Sequence, residues 1–192
     1  MKTPNSEALK KFISQNVIIR NPDKPLVMAS GLKTDIYFDM KRATLNSQGL
    51  ALVSAALFEK LKNEYSEKNI QVAGVSVGGD PLVASVLLES LGDDSYPVKS
   101  GLLVRKEPKS HGASQGSAVD GAPPAGDGVV LLEDVVSTGG SSLKALKYLQ
   151  SAGYKVLGLI CVINREMAGL EAIKKEFPNI KTDSLFKMSE FV

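Results

Sequence analysis

Two adjacent carboxylates, Glu133 and Asp134, end the apolar run Val129–Leu132 and are followed by Ser137-Thr138-Gly139-Gly140-Ser141-Ser142. Leu143, Leu146 and Leu149 then recur at helical spacing. The order strand, acid pair, hydroxyl–glycine turn, helix places backbone N–H groups and a helix N-terminus beside the end of a strand. Such a place attracts an anion such as phosphate. The carboxylates would repel phosphate. They suit sugar hydroxyls, or a divalent metal that travels with the phosphate. A plain helix cap would use one Ser or Thr, leaving the paired acids and paired glycines without a purpose.

A second cluster lies in RKEPKSHG, where Arg105, Lys106, Lys109 and His111 follow the apolar run GLLV. Positive groups at the start of a movable segment could close over a polyphosphate and stabilise charge as it develops. The same run would also serve as a solvated basic face. A third feature is GVSVGGDP, Gly74–Pro81. Gly78 and Gly79 carry no Cβ, so a second phosphate could approach the backbone there; an ordinary strand-to-helix turn would look the same.

The elements that must hold these residues are readable from Ile70 onward. Apolar strands in IQVAGVSV, GLLVRK, GVVLLED and VLGLICVI alternate with helical stretches, which predicts a parallel, doubly wound α/β sheet; a five-stranded core is the expectation once the family resemblance below is added. Between them, Ser110–Gly128 is rich in Gly, Ala, Ser and Pro and reads as a long flexible loop. Upstream, Leu50, Val53, Leu57 and Leu61 predict a helix from Asn46 to Tyr65. Asn5–Ser14 reads as a short amphipathic helix, and Ile36–Met40 as extended chain. Residues 1–45 are expected to form a small N-terminal hood, with a C-terminal contribution, on a single domain spanning 1–192. Met167–Phe177 reads as a last helix and Lys181–Lys187 as a last extended segment.

Composition sets the outer limits. The chain has 192 residues, 43% hydrophobic and 23% charged, with a formal net charge of +2. That charge is too small to argue for nucleic acid, and no run is long enough to span a membrane. Cys161 is the single cysteine and His111 the single histidine, so neither an internal disulfide nor a multi-histidine metal site is available. A cytoplasmic protein is the expectation.

Together these segments resemble the orotate phosphoribosyltransferases, a branch of the type I phosphoribosyltransferases. RKEPKSHG is similar to that family's Arg-Lys-Glu-x-Lys-x-His-Gly signature, and EDVVSTGGS to its phosphoribosyl-pyrophosphate (PRPP) loop. SGLKTDIYFD resembles the segment lining its base pocket, and VINR the strand end whose arginine holds the orotate carboxylate. The match runs from about Ser30 to Arg165. Some family members carry lysines where this chain has Ala29 and Gly78.

The resemblance implies a role for each matching residue. Glu133 and Asp134 would hold the ribose hydroxyls. Val135, Val136, Ser137, Thr138, Gly139, Gly140 and Ser141 would form the PRPP loop around the 5-phosphate. Arg105, Lys106, Lys109 and His111 would bind pyrophosphate, with Lys109, His111 and Asp134 as the catalytic set. Ser137, Arg165, Tyr37 and Phe38 would contact orotate. The implied reaction moves ribose 5-phosphate from PRPP to orotate, with magnesium as cofactor. PRPP and water would hold that metal, and Asp134 is the one carboxylate that could join them. The implied assembly is a homodimer in which Lys109 and His111 reach the neighbouring site. Two rival readings keep parts of this pattern: a phosphoribosyltransferase for another nucleobase, and a non-catalytic PRPP-binding regulator.

Overall fold

The computed structural model describes residues 4–20, 26–27, 33–34, 36–67, 69–96, 98–108, 117–124 and 128–192. Lys109 and His111 lie outside them, as do Ser30–Leu32 of the base-pocket segment.

The N-terminal elements are α1 (Pro4–Asn16), β1 (Ile18–Arg20), β2 (Leu26–Val27), β3 (Lys33–Thr34), β4 (Ile36–Phe38) and α2 (Lys41–Thr44). β1 pairs antiparallel with β4, setting Ile18 opposite Phe38 and Ile19 opposite Tyr37, while β2 and β3 pair with each other. Leu9 and Ile13, one turn apart on α1, are fully buried, and Val17 continues that face. The predicted helix is α3 (Ser47–Glu64), with both expected end residues acting as caps. The Asn46 side chain accepts a hydrogen bond from the Gly49 N–H, and Tyr65 closes the C-terminus.

The main sheet contains β5 (Gln71–Val75), β6 (Ser100–Val104), β7 (Val119–Gly121), β8 (Val129–Val136), β9 (Val156–Asn164) and β10 (Lys181–Lys187). Their order is β10-β9-β8-β5-β6-β7, and the first five are mutually parallel. Helices α4 (Asp80–Ser90), α5 (Gly140–Ser151) and α6 (Gly169–Glu176) connect them. The five-stranded parallel core is therefore as predicted, with one addition. β7 pairs antiparallel with β6 inside the stretch expected to be structureless. Its sequence, Val-Asp-Gly, has no apolar run to betray a strand, and its pairing with the β6 edge defines it.

Both faces of the sheet are covered. Val130 and Leu132 of β8, with Ile160 and Val162 of β9, join Leu57, Leu61 and Leu82 in one core. Their alternates, Val129, Leu131, Leu159 and Cys161, join Leu146, Leu149 and Ile173 in the other. That explains the continuous apolar runs, since each successive side chain enters an opposite core. The connections run one way from β5 to β6 and the other way from β8 to β10. The C-terminal ends of β5 and β8 therefore flank a topological switch point, where open α/β sheets place their ligands.

The last residues return to the N-terminal elements. After the 3-10 turn Met188–Glu190, Phe191 packs edge-on against Phe38 and Phe186, each with ring centroids 5.6 Å apart. Arg20 donates to the Phe191 carbonyl at 2.8 Å, and Lys10 to Glu190 at 3.2 Å.

Candidate active site

β8 delivers both acids, but to different places. Glu133 is 4% exposed and accepts a hydrogen bond from Ser142 Oγ at 2.7 Å. Burial pushes its carboxyl up to about 8, against the opposing effect of the Ser142 bond and with some help from the Asp134 charge. Asp134 points to the cleft. Burial raises its carboxyl too, and the Val135 N–H, which donates to Oδ1 at 2.8 Å, works against that rise. Its carboxylate rests on Gly78: a Cβ there would lie 2.6 Å from Asp134 Oδ2. The glycine of the β5–α4 turn thus serves Asp134 by leaving it room. In that turn the Ser76–Val77 peptide is cis, and Ser76 Oγ donates to Asp80 Oδ1 at 2.7 Å.

A cleft of about 460 Å³ opens at this point. Asp134, Val135 and Ser137 form its floor, Lys106 and Arg165 bring positive charge, and Tyr37–Lys41 form the wall from the N-terminal elements. Lys106 also borders an adjoining cavity of about 310 Å³, together with Arg105, Gly140, Ser141 and Lys144. The hydroxyl–glycine turn lies between the two. Gly139, at φ 80°, caps α5, and its carbonyl accepts the Leu143 N–H. Only glycine takes that conformation without strain.

Most of the residues singled out in the sequence converge here. Arg165 follows β9 and is 4% exposed. Its backbone N–H donates to Val136 O at 2.9 Å, and Nη2 donates to Ile36 O at 3.1 Å, tying β8, β9 and β4 together. Tyr37 is 41% exposed and open to the cleft, whereas Phe38 is 4% exposed and its ring packs against Phe191. Val136 turns its side chain into the core and contributes backbone only. Thr138 is exposed and outside the cleft lining. Arg105 is held 2.5 Å from Asp120 of β7.

Sequence reasoning passed over Lys41, Met40 and Gly169. α2 has only four residues, too few to show a period. Gly169, the first residue of α6, lies against the hydroxyl–glycine turn; the only hint was a glycine at the start of an apolar-periodic stretch. No group of three or more metal-ligating side chains occurs among the described residues. Among those residues, too, no helix is long and apolar enough to cross a membrane.

The geometry is that of a hydroxyl–glycine turn and a carboxylate at the switch point of a parallel sheet, facing Lys106, Arg165 and the N-terminal elements. The comparisons agree with it. The phosphoribosyl transferase domain matches residues 42–192. The orotate phosphoribosyltransferase of Aquifex aeolicus is 37% identical over 187 residues, 97% of each chain. That of Rhodopirellula baltica is 37% identical over 158 residues, 81% of this chain and 80% of the relative. In fold, the Mycobacterium tuberculosis orotate phosphoribosyltransferase solved with PRPP superposes with a TM-score of 0.74 at 23% identity, covering 98% of this chain and 99% of that one. A family match over most of the chain, with orotate phosphoribosyltransferases 37% identical over 81–97% of its length, makes the chain a member of the orotate phosphoribosyltransferase family of type I phosphoribosyltransferases.

Proposed function

We propose that the chain transfers the 5-phosphoribosyl group of PRPP to N1 of orotate, releasing pyrophosphate and forming orotidine 5'-monophosphate for pyrimidine (UMP) synthesis. The observation that carries this reading is Arg165, a buried guanidinium in the same cleft as Asp134 and Lys106. Orotate is a carboxylate at neutral pH, and a planar fork fixed at its backbone and at Nη2 suits a carboxylate better than a neutral base.

In the reaction the C1–O bond to pyrophosphate breaks, and pyrophosphate takes the electron pair. The ribose ring becomes cationic until N1 of orotate, having released its proton, bonds to C1. Asp134 accepts hydrogen bonds from the ribose hydroxyls and stabilises the ring charge, while Lys106 and Arg105 face the departing anion. Ser137, Gly139, Gly140 and Ser141 hold the 5-phosphate through N–H and hydroxyl donors. Tyr37 lies against the orotate ring, and Phe38, packed on Phe191, anchors the strand that carries Tyr37.

Magnesium fits this donor set. A single carboxylate, Asp134, with phosphate and ribose oxygens would satisfy a hard cation that keeps several waters. When bound, the metal neutralises the leaving pyrophosphate. The reading includes a homodimer, with Lys109 and His111 of one copy serving the other's site. Leu88 and Leu91, 71% and 78% exposed on and just past α4, supply unpartnered apolar surface for such a contact. A cytoplasmic setting is consistent with Cys161, whose thiol is buried and shifted upward by that burial.

The test mixes protein with magnesium, PRPP and orotate and follows the loss of orotate ultraviolet absorbance, with Lys109→Ala in parallel. Magnesium-dependent loss that collapses in the variant is the expected result. Turnover of another base but not orotate would overturn the substrate assignment, and PRPP binding without any turnover would overturn catalysis.

A further inference from the structure

One cation of the cleft has no role in the reading above. Lys41 is the first residue of α2, between Met40, 2% exposed, and Ala43, fully buried. Its backbone is pinned from both sides. The Met40 carbonyl accepts the Ala43 and Thr44 N–H groups, and Gly49 packs so closely that a Cβ there would stand 2.7 Å from Ala43 O. The neighbouring acid, Asp39, is committed elsewhere, 3.4 Å from Arg42 Nε. No hydrogen bond or ion pair among the described residues engages the Lys41 ammonium. Yet Lys41 lines the cleft with Asp134 and Lys106, near enough for its charge to act on the Asp134 carboxylate.

The opposite wall makes this position informative. The turn after β5 presents Gly78 to Asp134 with no room for even a Cβ. A cation from that turn could not stand over the acid without displacing it. Positive charge beside the acid therefore comes from other elements: Lys106 and Arg165 from the sheet, and Lys41 from the hood. Asp134 marks the ribose hydroxyls. A cation adjacent to it lies near C1, where an unshielded positive charge would oppose the ring cation unless it sits on the departing oxygen.

Resting on the reading above, we propose that Lys41 is a substrate-contacting residue whose ammonium binds the pyrophosphate of PRPP beside C1, taking the place that Gly78 leaves without a side chain. Pyrophosphate is then gripped from two sides, by Lys106 at the end of β6 and by Lys41 from the hood. Hood and sheet become coupled through the leaving group.

The experiment titrates magnesium pyrophosphate into the full-length protein by calorimetry, for wild type, Lys41→Met, Lys41→Gln and Lys41→Arg, and follows with KM for PRPP and for orotate. Loss of one charge-assisted contact predicts about tenfold or greater weakening of pyrophosphate binding in the Met and Gln variants. KM for PRPP should rise by a similar factor, KM for orotate should stay within about twofold, and Arg should restore most of the loss. Pyrophosphate affinity within twofold of wild type in both neutral variants would overturn the proposal, as would a loss confined to orotate. The pyrophosphate titration contains no base, so it tests Lys41 even if the base proves not to be orotate.

Discussion

Gly169 stands so close to Ser137 that a Cβ on it would lie 2.3 Å from the Ser137 carbonyl oxygen. The same Cβ would be 2.9 Å from the Gly139 nitrogen. The first residue of α6 is thus a backstop for the Ser137–Gly140 turn. Substituting alanine must push the turn toward the cleft, since helix α6 is anchored by the fully buried Ile173. Gly169→Ala should raise KM for PRPP by roughly tenfold and destabilise the fold by about 1–3 kcal/mol, the usual range for overpacking. Steady-state kinetics with a melting curve on the same preparation checks both.

Glu133 gives a stability signature that depends on pH. Its carboxyl is raised from 4.5 to about 8, so between those values the folded chain holds a proton that the unfolded chain has released. The stability linked to that proton is complete below 4.5 and is lost as pH rises through about 8. Glu133→Gln keeps an acceptor for Ser142 and removes the ionisation. The variant should melt higher than wild type at pH 9, with a smaller drop in Tm between pH 6 and pH 9. For a chain of this size roughly 2–4 °C corresponds to each kcal/mol. Parallel pH–Tm curves for the two proteins would mean that Glu133 ionises freely in the fold.

Arg165 should divide the two substrates. Arg165→Met is expected to raise KM for orotate by roughly 10- to 150-fold, the equivalent of one charged hydrogen-bonded contact at about 1.5–3 kcal/mol. KM for PRPP should change much less. Arg165→Lys keeps the charge and loses the planar fork, so it should recover only part of the orotate binding. A proportional loss for both substrates would place Arg165 in scaffolding instead.

The Arg105–Asp120 pair has a different prediction. It is an exposed contact, and such pairs contribute about 0–1 kcal/mol. Asp120→Asn should leave Tm within about 4 °C. If Arg105 must leave Asp120 to meet pyrophosphate, the same variant should bind magnesium pyrophosphate no more weakly than wild type, whereas Arg105→Gln should bind it less well. Calorimetry on the two variants decides this.

What could be read in the sequence was whatever leaves a periodic trace. Leu50, Val53, Leu57 and Leu61 located α3 to its capping residues, and the run through Leu132 located β8, because both bury continuous surface. Three features left no such trace. β7 is a three-residue strand that depends on the exposed edge of β6. The helix α6 itself was legible, but its start at Gly169, two residues later than expected, was not, because it is set by Ala168 in the left-handed region at φ 60°. Lys41 sits on a helix of one turn, and its position depends on Gly49 and Met40, distant in character from any phosphate motif. The adjacency of Glu133 and Asp134 was legible, but not their division into an acid sealed in the core and a half-buried one lining the cleft, since a strand sends successive side chains to opposite faces and only the packing tells which face is dry.

The contact of Phe38 with Phe191 has a consequence for how the protein folds. Strand β4, which carries Tyr37, is held by residues far away in sequence, and its partner strand β1 reaches the same place through Arg20 and Phe191, 171 positions apart. Contacts of such separation cost loop-closure entropy before they return any stability. The β1–β4 wall of the cleft should therefore be among the last parts of the fold to close and among the first to open.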